Sequence, residues 1–81
     1  MKVRVRFFAS ARERARCSEG EREVAAGTRV ADLWNDLCAE IPALADLTPA
    51  ISFAVNREYV ERTHALADGD EIALIPPVSG G

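Results

Sequence analysis

The residues of clearest chemical meaning are the last six, Pro76-Pro77-Val78-Ser79-Gly80-Gly81. They follow an apolar-rich run, Asp70 to Ile75, that reads as a final strand. Two prolines in succession cannot donate ladder hydrogen bonds and hold the backbone extended, so the strand is expected to stop at Ile75. Six residues then reach at most about 20 Å from the body. Gly80 and Gly81 have no Cβ, so they fit a channel too narrow for other residues. The organisation expected is a domain over 1–75 and an extended reactive tail over 76–81, ending in the Gly81 carboxylate. Such a group has a pKa near 3.5 and is a poor electrophile at pH 7. It reacts only once activated, most simply as an acyl-adenylate made with ATP. This chain has no Gly-rich phosphate loop, so a partner must supply the activation. The activated acyl group can pass to an amine, giving a protein conjugate, or to sulfur, giving a thiocarboxylate.

No other residues assemble into a catalytic set. His64 is the single histidine, with no nucleophile paired to it in sequence, and reads as a solvated loop residue. Cys17 and Cys38 lie too far apart for a zinc motif, and Cys38 falls on an apolar helix face. Asp68, Asp70 and Glu71 around Gly69 suit turn chemistry better than a cation site. The sequence therefore predicts a non-catalytic chain with no metal site and no cofactor of its own, ATP being consumed by the activating partner. A net charge of −3 argues against nucleic acid as the main partner. With no apolar run approaching twenty residues and no signal-peptide pattern at the start, membrane is not expected and the cytoplasm is.

The elements that must position the tail can be read in order. Lys2 to Phe7 alternates polar and apolar, placing Val3, Val5 and Phe7 on one face and Lys2, Arg4, Arg6 and Phe8 on the other. Ser10 is a candidate cap for a short helix over 11–16. Ser18-Glu19-Gly20 reads as a turn into an antiparallel strand over 21–25. Thr28 is the expected N-cap of the main helix, whose stripe is Val30, Leu33, Trp34, Leu37, Cys38 and Ile41. Pro42 stops that helix, and a short helical turn precedes Pro49. Ile51 to Val55 is a strand with Ile51, Phe53 and Val55 inward. Asn56-Arg57 turns it into Glu58-Tyr59-Val60, with Tyr59 outward. Asp68-Gly69-Asp70 launches the last strand, with Ile72 and Leu74 inward and Ala73 and Ile75 outward. The order predicts an α+β roll: a mixed sheet of about five strands packed on one main helix, first and last strands parallel at its centre.

A β-grasp order ending in Gly-Gly resembles ubiquitin and its bacterial sulfur-carrier relatives, the MoaD and ThiS families. Four stretches resemble MoaD, the small subunit of molybdopterin synthase. They are Val5-Arg6-Phe7-Phe8-Ala9 with Arg12-Glu13 after it, Ala54-Val55-Asn56, Leu66 to Ala73, and Pro76 to Gly81. That resemblance implies a ubiquitin-like β-grasp fold and a sulfur carrier of molybdenum cofactor biosynthesis. A MoeB-like adenylating enzyme would adenylate Gly81, and a sulfurtransferase system would convert it to a thiocarboxylate. The tail would then enter a MoaE-like large synthase subunit and donate sulfur to cyclic pyranopterin monophosphate. The resemblance also implies an apolar partner-binding patch, matched here by Phe8, Tyr59 and Ile75, three side chains that the alternation already places on outward faces. Two alternatives share the tail: a ubiquitin-like modifier joined to lysines through Gly81, and a sulfur carrier for thiazole or cysteine synthesis.

Overall fold

The computed structural model of the chain describes residues 1–77. Their elements, in order, are β1 (Lys2–Phe7), α1 (Ala9–Ala15), β2 (Glu19–Glu23), α2 (Val30–Glu40), a 3₁₀ helix (Pro42–Leu47), β3 (Ser52–Val55), β4 (Glu58–Val60) and β5 (Glu71–Ile75). One sheet has the order β2-β1-β5-β3-β4. β1 and β5 run parallel at its centre and every other pairing is antiparallel. This is the β-grasp roll that the alternation and the single amphipathic helix require.

The core forms because one face of each strand and one stripe of α2 have nowhere else to avoid water. Val3, Val5, Phe7, Phe53, Val55, Ile72 and Leu74 from the sheet cluster with Val30, Leu33, Trp34 and Leu37 of α2. Trp34 meets Phe53 edge-on with centroids 5.7 Å apart, the arrangement that ring quadrupoles favour. Its indole N–H donates to Thr48 Oγ1 at 2.9 Å, so the deepest aromatic leaves no buried donor unpaired. Ala11 of α1 is fully buried, and its small side chain joins the same core cluster.

Three local expectations are corrected. Thr28 does not cap α2: its hydroxyl donates back to Ala25 O at 2.7 Å, and the N-cap is Arg29. The helix start is closed instead by Asp32, whose carboxylate accepts the Arg29 N–H at 3.0 Å and sits well against the helix dipole. The first helix begins at Ala9, before Ser10, with Phe8 in the cap position and no side-chain cap. β2 begins at Glu19 and contains Gly20, where the sequence predicts a turn; backbone pairing with β1, Val5 opposite Gly20, holds this almost wholly exposed strand.

Two turns fix the sheet end opposite the tail. In the β5 approach, Gly69 takes φ +84, which suits glycine, and its N–H donates to Lys2 O at 2.7 Å. Asp68 accepts the Lys2 N–H and Asp70 the Ala67 N–H, each at 2.8 Å. Both carboxylates are thus engaged in turn hydrogen bonds. Asn56 and Arg57 both have positive φ, the hairpin geometry that matches strand twist. The Asn56 amide ties this hairpin to β5, donating to Asp70 Oδ1 at 2.9 Å and accepting from Glu71 N–H at 3.1 Å.

Candidate functional site

The face of the sheet away from α2 carries a shallow groove of about 510 Å³. Strand register explains it. Arg6 lies opposite Ala73, Ala73 opposite Ala54, and Ala54 opposite Tyr59, so one cross-strand row reads large, small, small, large. Directly opposed side chains stand about 5 Å apart, so two alanines between an arginine and a tyrosine leave a trough. The next row towards the end of β5 adds Ile75, and Phe8 follows Arg6 two residues on along the chain.

Phe8, Tyr59, Ile75 and Pro76 all line this one groove. Tyr59 is 73% exposed, the one large hydrophobic side chain so open among the described residues. Phe8 and Ile75 are half-buried. Phe8 is held from two sides: its N–H donates to Leu74 O at 3.2 Å, and the Arg6 guanidinium lies 5.0 Å from its ring centroid. Arg6 also pairs with Glu71 at 3.6 Å. Both partners are partly solvated, so this pair positions Arg6 more than it stabilises the fold. Arg57, from the β3–β4 turn, brings a second cation to the rim.

β5 makes its last pairing at Ile75, opposite Ser52. Pro76 is buried against the groove and Pro77 is exposed. The base of the tail is therefore anchored beside an apolar trough with charged edges. The expectations placed on Val78, Ser79, Gly80 and Gly81 lie outside the described residues.

The remaining candidates are dispersed. His64 is exposed in the loop before Leu66, with its backbone carbonyl accepting the Val30 N–H at 3.0 Å. Cys17 is exposed, and Cys38 is half-buried against the core. Burial pushes the Cys38 thiol above its ordinary value of 9.0, against a smaller opposing effect from its hydrogen bond to Thr48. That is the behaviour of a structural thiol. Among the described residues, no three metal-ligating side chains come together.

Sequence reasoning missed the floor and the rim of the groove. Ala54, Ala73, Arg6 and Arg57 have no distinguishing pattern along the chain. Pairing Ala54 with Ala73 across β3 and β5 was the available signal, and it depends on register.

A sequence model of the ThiS family matches residues 5–81. The chain belongs to the ThiS family. Among curated relatives, the molybdopterin synthase sulfur carrier subunit of Chlamydomonas reinhardtii is 42% identical over the whole of both chains. Among solved structures, SAMP1 from Haloferax volcanii superposes with a TM-score of 0.89 at 30% identity, covering all of both chains. The protein–protein complex of subunits 1 and 2 of the molybdopterin-converting factor from Helicobacter pylori contains a chain that matches at TM-score 0.72 and 28% identity, again over both full lengths. The first two values leave little room for inserted or missing elements in this ThiS-family chain.

Proposed function

We propose that this chain is the sulfur-carrier subunit of a molybdopterin synthase and that its reactive group is the Gly81 carboxylate. The observation that carries the reading is the groove. Phe8, Tyr59 and Ile75, separated by up to 67 positions in sequence, line one depression together with Pro76, the first residue of the tail. A partner seated there would hold the tail base in register with its own pocket. The full-length likeness to sulfur carrier subunits supports the same reading.

The chemistry follows from the carboxylate. In an adenylating partner, the Gly81 oxygen attacks the α-phosphorus of ATP and pyrophosphate leaves. Sulfur delivered by a sulfurtransferase system then displaces AMP at the acyl carbon, giving a thiocarboxylate. In the synthase, that sulfur is donated to cyclic pyranopterin monophosphate and the carboxylate is regenerated. ATP and pterin are bound by the partners, so this subunit contributes no catalytic side chain of its own. A large synthase subunit is the expected seat, as the Helicobacter complex of subunits 1 and 2 supports. The cytoplasm is the proposed location; among the described residues no helix is long and apolar enough to cross a membrane.

The test is removal of Gly80 and Gly81 from the full chain. Sulfur transfer in a reconstituted synthase is expected to vanish while thermal unfolding is unchanged, since the core cluster of the described residues runs from Val3 to Leu74. Full activity of the shortened chain would refute the assignment. A second reading, a protein modifier conjugated through Gly81, is favoured by the likeness to a small archaeal modifier protein. Isopeptide-linked Gly-Gly on other proteins would distinguish it.

A further inference from the structure

The open face of the sheet is charged on one half and apolar on the other. Residues directly opposite in register share a face, so the β1–β2 pairing sets Lys2 against Glu23, Arg4 against Glu21 and Arg6 against Glu19. Glu71 of β5 stands opposite Arg4 on the other side. The cations of β1 therefore lie between acids, with Arg4 4.0 Å from both Glu19 and Glu21 and Arg6 3.6 Å from Glu71. Over β3 and β4 this compensation stops. Ala54 and Tyr59 carry no charge, and Glu58 is opposite Val55, on the side that α2 covers.

Arg57 is the exception. It is exposed, lines the groove and has no ion-pair partner among the described residues. The acids nearest to it in the sheet are engaged elsewhere: Glu71 with Arg6, and Asp70 with the Ala67 N–H and the Asn56 amide. Its place along the groove matters as much as its charge. Val55 pairs with Ile72, and the Asn56 N–H donates to Glu71 O at 2.8 Å, so Arg57 stands level with the beginning of β5. Ile75 and Pro76 line the other end, about 13 Å along the strand. The groove thus has a cationic end, an alanine floor and an apolar end at which the tail begins.

We infer that the groove seats a segment of the large synthase subunit in one direction only. That segment places a carboxylate at Arg57 and an apolar side chain about 7 Å further along, over Ala54 and Ala73, and then continues towards the base of the tail. This rests on the reading that a large synthase subunit docks here, and it adds the chemistry that orients the subunit. The alanine floor takes apolar bulk, and the one uncompensated cation takes its opposite charge. A segment laid the other way round would put its carboxylate beside Phe8 and Ile75 and leave Arg57 unanswered. An ion pair at so exposed a rim adds little affinity; it acts on direction and on the rate of encounter.

The experiment uses the full chain and the large synthase subunit. In Arg57→Lys the cation is kept and gains an amine, which a water-soluble carbodiimide joins to a carboxylate only where the two are in direct contact. Peptide mapping of the treated complex is expected to find the introduced amine coupled to an aspartate or glutamate of the large subunit. Coupling only to the chain's own Glu58, Asp70 or Glu71, or to nothing, would overturn the inference. Beside it, Arg57→Gln should bind about fivefold more weakly than the parent at about 0.01 M salt and equally at about 1 M, as a screened surface pair requires. Equal binding at both salt concentrations would also overturn it. Tyr59→Ala separates the two readings. If that variant alone loses binding, at either salt concentration, the docking site stands and the carboxylate at Arg57 is removed. A parent chain that does not bind the large subunit at all removes both.

Discussion

The two faces of the sheet are built from the same five strands and do opposite work. Under α2, Val5, Phe53, Ile72 and Leu74 pack against Leu33, Trp34 and Leu37 and are almost completely withdrawn from water. On the other face, Ala54 and Ala73 stand where large residues could have stood, and Arg6, Phe8, Tyr59 and Ile75 surround the gap. The first face concentrates the hydrophobic stabilisation that a domain this small requires. The second leaves part of it unrealised, in the form of apolar surface available to a partner. Stability and recognition are thus separated by the two-residue period of the strand, and adjacent residues such as Phe53 and Ala54 belong to different functions.

That separation can be broken experimentally. The largest effect is expected on the covered face: Leu37→Ala should cost about 2–5 kcal/mol, visible as a fall in Tm of ten degrees or more. If Tm hardly moved, the face under α2 would not be the source of stability. On the open face, Tyr59→Ala should leave unfolding within about 0.5 kcal/mol of the parent. It should weaken binding to the large synthase subunit by roughly tenfold to a hundredfold, as loss of an exposed aromatic anchor does. Calorimetric titration beside a melting curve measures both; a variant that melts early but binds normally would reverse the assignment of the two faces. The smallest effect concerns Cys38 at the edge of the core. Burial raises its pKa, so the folded state holds the proton more tightly than the unfolded state does. Its contribution is complete below about pH 9 and declines as pH rises further. Cys38→Ala should flatten that alkaline decline, which denaturation midpoints at a series of pH values would show.

The covered face was legible in the sequence because its signals are local. The stripe of α2 and the alternation of β1 and β5 each repeat within a few residues, and burial follows them residue by residue; in β3 the inward Phe53 and Val55 are buried, and so is Ala54 between them. Phe8, Tyr59 and Ile75 were legible as outward apolar residues for the same reason. Their convergence was not, since it depends on Arg6, Ala73, Ala54 and Tyr59 aligning across four strands. β2 was misplaced by two residues because its side chains bury almost nothing, leaving no alternation to read. The cap of α2 was misassigned because Thr28 and Asp32 can both close a helix start, and only the geometry shows that Thr28 turns back to Ala25.

The central claim, that this chain carries sulfur on Gly81, is tested most directly by the mass of its C-terminal peptide from its own cells. The account predicts that in part of the population one Gly81 oxygen is replaced by sulfur, located to that peptide and distinct from Met1 or cysteine oxidation. An unmodified carboxylate in every molecule, with Gly-Gly remnants on the lysines of other proteins, would contradict it.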